Sequence, residues 1–181
     1  MPTFVALLRG INVGKAKRVS MADLRALLCG LGYSNVTTLL NSGNAVFRSA
    51  KGASAEHATD IASAISDRLK LEVSVIVKSA RELATIIAEN PISAEANEHS
   101  RFLVVFVQDT KALLRLTAIE PLVAPPERFE IGKNAAYFLC PDGILQSKAG
   151  DALLGKAGTS VTTRNWATVI KLRSLTDEFH A

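Results

Sequence analysis

The sequence has few of the residues that build metal centres, disulfide frameworks or stacking surfaces. It contains two cysteines, Cys29 and Cys140, three histidines and one tryptophan, and aromatic residues make up 6% of the chain. The cysteines form no Cys-x-x-Cys pair and the histidines no i, i+4 pair, so we expect no metal site, no disulfide framework and no cofactor. Both cysteines are expected to be buried, reduced thiols.

Long apolar runs are also missing. The longest, such as residues 102–107, reach only about a third of a membrane span. The first residues lead directly into a strand pattern, so we expect a cytoplasmic protein with no membrane segment and no signal peptide. The 181 residues are 48% apolar and 21% charged, which is enough for a sizeable core and excludes a disordered chain.

Charge is unevenly distributed along the chain, whose formal net charge is +4. Residues 1–50 carry six basic side chains against Asp23, and residues 143–175 carry five against Asp151, whereas residues 51–142 are acidic. If the two basic stretches meet in space, they form one positive face that favours an anionic partner. The alternative is a scattered, solvated surface of lysines and arginines.

The first half of the chain predicts the order βαββαβ over residues 3–78. Residues 4–8 form an unbroken apolar run that is typical of a central strand. Ser20 and Asp23 begin a helix, and residues 41–44 separate two apolar runs as a hairpin turn does. The order is that of the ferredoxin-like sandwich, in which two helices cover one face of a four-stranded antiparallel sheet.

The second half predicts βαββ after a helix capped by Ser79 and Glu82. Residues 102–107 form a buried strand, and Asp109 caps the helix that follows. The hairpin at residues 132–134 resembles the one at residues 42–44 in sequence. We therefore predict an α+β fold with two related, βαββ-based ferredoxin-like subdomains, residues 1–78 and residues 79–181 with a carboxy-terminal helix.

Three ordered motifs carry a resemblance to a known family. Residues 7–14 (Leu-Leu-Arg-Gly-Ile-Asn-Val-Gly), 41–47 (Asn-Ser-Gly-Asn-Ala-Val-Phe) and 162–169 (Thr-Thr-Arg-Asn-Trp-Ala-Thr-Val) resemble the bacterial family known as domain of unknown function 1697. The resemblance spans nearly the whole chain and implies an α+β fold, with no established activity. Lys15 stands where a further glycine is common, and Ala45 where valine is common.

Residues 9–18 form a basic segment with some likeness to phosphate-binding loops. Only three residues separate Gly10 from Gly14, and alanine follows Lys15, so a Walker nucleotide site is excluded. A Gly-x-Gly-x-x-Gly fingerprint is absent as well. A basic loop ahead of a capped helix remains, in which N–H groups, the helix dipole and basic side chains hold an anion. Alternatively, the glycines only shape the loop and Asn12 bonds to backbone.

The last helix is predicted from about residue 164 to residue 175, with Trp166, Val169 and Ile170 facing inward. Arg164 then lies in the first turn, where a cation opposes the helix dipole at a cost of roughly a few tenths of a kcal/mol. Either an acid such as Asp23 or an external anion is expected to compensate this charge. Trp166 is expected in the core or between the subdomains.

These patterns support three functions. The first is binding of a phosphorylated small molecule or nucleotide at the subdomain junction. The second is single-stranded nucleic-acid binding on the sheet face, with Phe4 and Phe47 as the available aromatic residues. The third is a structural or interaction domain without a ligand. The candidate ligand-binding residues are Arg9, Asn12, Lys15, Lys17, Arg18, Ser42, Asn44, Arg164 and Asn165.

The sequence names no catalytic group. It has no Gly-x-Ser-x-Gly elbow that would expose a serine nucleophile, and no carboxylates at zinc-site spacing from the histidines. Ser42 and Asn44 are first of all turn residues.

Overall fold

In the computed structural model, residues 1–15, 17–155 and 158–179 are described. The chain divides into two compact units. The first contains Met1–Leu83 together with the segment from Leu172 onward, and the second contains Ala84–Lys171. Both units combine helices with an antiparallel sheet, which confirms the predicted α+β class.

The sheet of the first unit has four antiparallel strands in the order β2-β3-β1-β4. The predicted hairpin at residues 41–44 is confirmed, because it joins two paired strands. The predicted helices are present as well. The elements are β1 (Thr3–Leu8), α1 (Met21–Gly30), β2 (Ser34–Leu39), β3 (Asn44–Arg48), α2 (Ser54–Leu69), β4 (Val75–Ser79) and α3 (Ala80–Ala88).

The core of the first unit lies between this sheet and the apolar faces of α1 and α2. Leu24, Leu27 and Leu28 of α1 are buried because they recur at helical spacing on one side. Ile61 and Ile65 do the same on α2. Ser20 begins α1 as predicted, since its hydroxyl accepts a hydrogen bond of 3.0 Å from the backbone of Asp23.

A buried histidine lies within this core. His57 packs edge-on against Phe4, Tyr33 and Phe47, with ring centroids 4.5, 5.0 and 5.5 Å away. Its Nδ1 is 2.8 Å from the Tyr33 hydroxyl. Burial lowers the pKa of His57, while the carboxylates of Asp60 and Glu56 oppose that change, and burial raises the pKa of Tyr33 to about 12.

We expect His57 to make the protein sensitive to acid. The folded state holds the ring neutral, whereas the unfolded chain protonates it below its ordinary pKa of about 6.5. The unfolded state therefore binds more protons, and the free energy of unfolding falls as the pH decreases from about 6.5 through the lowered folded pKa of His57. Chemical denaturation at pH 8 and pH 5 measures this loss.

The control for this prediction is a histidine outside the aromatic cluster. His57→Leu removes the titrating ring, so the difference in unfolding free energy between the two pH values should shrink. His99→Gln should leave the difference as it is in the native chain. Equal acid sensitivity of the native protein and His57→Leu would contradict the prediction.

The sheet of the second unit has the order β6-β7-β5-β8 and is also antiparallel throughout. The two sheets therefore have the same strand order. In each of them, the strand that comes first along the chain lies between the third and the fourth. The elements that follow α3 are β5 (Phe102–Val107), β6 (Arg128–Ile131), β7 (Ala135–Leu139), α4 (Lys148–Leu154), β8 (Val161–Asn165) and α5 (Trp166–Glu178), with 3-10 helices at Ala96–Glu98, Thr110–Leu122 and Ile144–Gln146. Helix α5 begins in the second unit and continues, from Leu172, in the first.

The helix starts predicted in the second half are confirmed. Ser79 and Glu82 cap α3 reciprocally, because the Ser79 hydroxyl accepts from the Glu82 backbone and the Glu82 carboxylate accepts from the Ser79 backbone. Asp109 caps the helix that follows β5, which is a 3-10 helix.

Three predictions about the second half and the cysteines are wrong. Arg164 lies on strand β8, opposite Val104 of β5, and α5 begins at Trp166. The argument from the helix dipole therefore does not apply to Arg164. Ile170 is exposed rather than inward-facing. Cys29 is exposed, whereas Cys140 is buried as predicted.

Candidate functional site

Asn12 connects the basic loop to the hairpin turn of the first unit. Its Nδ2 donates to the carbonyl oxygens of Val19 and Asn41 at 2.8 and 2.7 Å, and its Oδ1 accepts from the Val19 backbone at 2.9 Å. Its backbone N–H donates to the Lys17 carbonyl. The expectation that Asn12 bonds to backbone is thus confirmed. The first two sequence motifs form one structural site.

Backbone hydrogen bonds fix the base of this loop at one end of the sheet. The Leu8 N–H donates to the Gly43 carbonyl at 2.8 Å, and the Arg9 N–H donates to the Ser74 carbonyl at 2.9 Å. Ile11 is buried in the core and anchors the chain between these contacts. The loop therefore starts where β1 ends and where β3 and β4 begin, on a rigid frame.

The rest of the loop presents basic side chains to solvent. Lys15, Lys17 and Arg18 are exposed, and among the described residues none of the three forms an ion pair. The Lys17 ammonium donates to the Glu72 carbonyl at 2.7 Å, which holds this side chain against the frame. Arg9 is half-buried, and burial lowers the pKa of its guanidinium. The site is strongly cationic.

The start of α1 contributes little to this charge. The Ser20 hydroxyl already accepts from the first helical turn, and Asp23 places a carboxylate there. Both groups satisfy the positive end of the helix. An anion at this site would therefore be held by the basic side chains of the loop rather than by the helix dipole.

Ser42 and Asn44 act as turn residues, as predicted. Asn44 is fully buried, and its Nδ2 donates to the Leu39 carbonyl and to the Ser42 hydroxyl, both at 2.9 Å. Ser42 is exposed at the tip of the turn. The hydroxyl of Ser42 therefore lies at the surface, whereas the amide of Asn44 closes the turn.

The second unit shows how the same elements are joined without this loop. In the first unit residues 9–20 connect β1 to α1, whereas in the second unit only Gln108 and Asp109 connect β5 to the helix that follows. Both sheets have the same strand order. The long basic connection is therefore an addition that the topology does not require.

The third sequence motif lies in the second unit. Arg164 is buried on β8, its Nη1 donates to the Thr162 hydroxyl and to the Thr163 carbonyl at 2.8 Å, and burial lowers its pKa to about 10. Asn165 caps α5 by accepting from the Thr168 backbone at 2.9 Å. Trp166 is half-buried and stacks on Phe102 at 5.1 Å. These contacts hold the junction of β8 and α5.

The two aromatic residues proposed for nucleic-acid stacking are buried. Phe4 and Phe47 belong to the core beneath α1 and α2, and their rings stack on each other at 5.6 Å. Val5 and Val46, on the opposite face of the same strands, are also buried. Neither ring is therefore available to stack on a base, which removes the aromatic residues on which nucleic-acid binding by this sheet depended.

The described residues contain no cluster of three or more His, Cys, Asp or Glu side chains placed to hold a metal ion. Over the same part of the chain, no helix combines the length and the apolar composition needed to cross a membrane. Burial raises the pKa of the Cys140 thiol to about 11, which keeps it protonated at neutral pH. This thiol is therefore not an activated nucleophile.

The sequence model of a family described as "Protein of unknown function (DUF1697)" matches residues 1–137. The chain belongs to this family. The match confirms the suspected family and includes the first two motifs, with the whole basic loop and hairpin turn, whereas the third motif lies beyond the matched residues. No curated protein matches this DUF1697 chain.

A solved structure resembles this DUF1697 protein over almost its full length. The conserved bacterial protein SP0830 from Streptococcus pneumoniae is 23% identical and superimposes with a TM-score of 0.80, covering 97% of this chain and 98% of that chain. At this level of identity the likeness concerns the fold alone.

Sequence reasoning missed two features of the DUF1697 site. Leu40 lies in the hairpin turn with a φ of 57°, and Val13 lies in the basic loop, and both side chains are exposed. Their apolar character predicts burial, so the sequence gives no signal for the exposure of Val13. The position of Leu40 directly before the polar turn was the available hint.

Proposed function

We propose that this protein binds a phosphorylated small molecule or a nucleotide through the basic loop of its first unit. Lys15, Lys17 and Arg18 supply the positive charge, and Arg9 begins the same loop. Ser42 lies in the hairpin turn that Asn12 contacts. Asn12 acts as a positioning residue, since its side chain ties the loop to the turn. The participation of Arg164 and Asn165 stays a prediction.

The observation that carries this proposal is the difference between the two units. In the first unit the basic loop joins the first strand to the helix that follows, whereas in the second unit two residues make the equivalent connection. A long connection that the topology does not require, and that Asn12 holds against the hairpin turn, points to a function. The exposed Lys15, Lys17 and Arg18 form no ion pair within the described part of the chain, and such cations favour an anion as that function's ligand.

We also infer that each unit is a ferredoxin-like subdomain, with the division near residues 78 and 79. The strand order β2-β3-β1-β4, the antiparallel pairing and the two helices on one face of the first sheet support this inference. The equivalent order β6-β7-β5-β8 supports it for the second unit. The two compact units divide the chain within α3, between Leu83 and Ala84, and again between Lys171 and Leu172.

Thermal unfolding tests the proposed function. The native chain should be heated with inorganic phosphate, pyrophosphate, AMP, ATP or a short single-stranded oligonucleotide at two salt concentrations. A ligand at about a hundred times its dissociation constant stabilises the folded state by roughly 2.7 kcal/mol, which shifts the melting temperature by several degrees. We expect such a shift with at least one small phosphate at low-millimolar concentration.

Two matched triple variants decide where the ligand binds. Lys15→Ala/Lys17→Ala/Arg18→Ala should abolish the shift. Lys111→Ala/Arg115→Ala/Lys148→Ala removes the same charge from exposed positions of the second unit and should retain it. A flat response to all small phosphates overturns the proposal. A response to the oligonucleotide alone, steeply reduced by salt, would favour nucleic-acid binding instead.

A further inference from the structure

Two residues with exposed aliphatic side chains are sequence neighbours of the contact that joins the basic loop to the hairpin turn. Val13 follows Asn12, and Leu40 precedes Asn41, whose carbonyl accepts from the Asn12 side chain at 2.7 Å. The exposed fractions of Val13 and Leu40 are 71% and 53%. The basic loop, which contains Val13, also carries the exposed cations Lys15, Lys17 and Arg18. Exposed apolar and cationic side chains therefore occur on the two segments that the contact between Asn12 and Asn41 joins.

The backbone of Leu40 makes its exposure informative. Its φ is 57°, a conformation that glycine and asparagine adopt more readily than leucine. The leucine side chain gains little from burial at this position, because half of it faces solvent. Neither local conformation nor the core therefore accounts for leucine here. Strained residues of this kind concentrate at sites that bind ligands.

We propose that Val13 and Leu40 contact an aliphatic portion of the ligand, so that the ligand class is a soluble phosphate monoester with an aliphatic group next to its phosphate. This inference rests on the proposed function, because the basic loop supplies the attraction for the phosphate. Aliphatic side chains offer apolar contact area but no ring to stack on. The ligand's aliphatic group lies over these two side chains while its phosphate faces the cations.

Isothermal titration calorimetry with inorganic phosphate and with methyl, propyl and hexyl phosphate tests this ligand class. In the native chain the affinity should rise with chain length, by up to about fourfold for each methylene group that becomes buried. In Val13→Ser/Leu40→Asn the rise should disappear, while the affinity for inorganic phosphate stays unchanged. Leu114→Asn/Leu145→Asn removes two exposed leucines from the second unit and should keep the rise.

Folding of the variants is checked separately. Asparagine tolerates positive φ, so Leu40→Asn alone should melt no lower than the native chain and should lose part of the rise with chain length. If the double variant unfolds, this single variant still decides the proposal.

Each remaining outcome overturns a defined part of the proposal. Equal affinity of the native chain for all four phosphates removes the aliphatic contact and leaves the phosphate site. Failure of the native chain to bind any of the four phosphates overturns both the aliphatic contact and the phosphate site. Binding to phosphatidylglycerol vesicles without binding to the soluble alkyl phosphates overturns the soluble ligand, because the phosphate is then presented by a lipid headgroup.

Discussion

Asn12→Ala should destabilise the protein by about 3 kcal/mol, since it removes three side-chain hydrogen bonds worth about 1 kcal/mol each. These bonds run to the backbone of Val19 and to the carbonyl of Asn41. A left-handed φ of 55° adds strain for alanine. For a chain of this size the melting temperature should fall by roughly 6 to 12 °C. Differential scanning calorimetry measures the loss.

Two variants separate the causes of this loss. Asn12→Gly removes the same hydrogen bonds but adopts the positive φ freely, so it should be slightly less destabilising than Asn12→Ala. Asn12→Asp keeps the acceptor for the Val19 backbone and loses both donated bonds, so it should fall between the native chain and alanine. If Asn12→Ala melts within about 1 °C of the native chain, the side chain does not hold the loop.

The second large effect is expected at Gly43, in the hairpin turn. Its φ is 84°, and a Cβ atom there would lie 2.7 Å from Leu8 Cβ and 2.9 Å from Ile11 Cδ1. Both neighbours are buried, so they have little room to move. Gly43→Ala should therefore cost about 2 to 4 kcal/mol through strain and overpacking, measured by denaturant unfolding.

Gly32 is the matched control for this prediction. It has the same φ of 84°, but no atom lies within 4 Å of the position that its Cβ would take. Gly32→Ala should therefore show the conformational strain alone, about 1 kcal/mol. Equal losses at the two positions would mean that the turn does not press against β1 as described.

Substitutions of Asn12 and of Gly43 also affect the proposed ligand site, because they change the geometry of the loop rather than its charge. Asn12 and Gly43 fix the distance between the basic loop and the turn. Their substitution should weaken phosphate binding even though every basic side chain remains. Loss of binding in Asn12→Gly, measured well below its melting temperature, would separate positioning from stability.

Local patterns predicted the elements of this protein well. The capping residues Ser20, Ser79 and Asp109 act within one turn of the helix they begin, so the sequence contains all the information needed. The hairpin at residues 41–44 was predictable for the same reason. Local patterns do not predict β8, the strand that contains Arg164, because it is short and half polar and only its pairing with β5 defines it as a strand.

The basic loop shows which features of the site can be predicted from the sequence. Its charge and its glycines are visible in the sequence, whereas the bond from Asn12 to Asn41 joins residues that are 29 positions apart. Local patterns carry no information about such a contact. The exposure of Cys29, Val13 and Ile170 was missed because apolar character predicts burial only on average.

The sequence by itself determined the α+β class, the order of the elements in the first half and the family, because these depend on periodicity, capping and ordered motifs. The tertiary structure alone decided that Asn12 joins the basic loop to the hairpin turn and that Arg164 lies on a buried strand. It also decided that Val13 and Leu40 face solvent. Each of these facts depends on contacts between distant residues. Packing and strand pairing, not local propensity, determine such contacts.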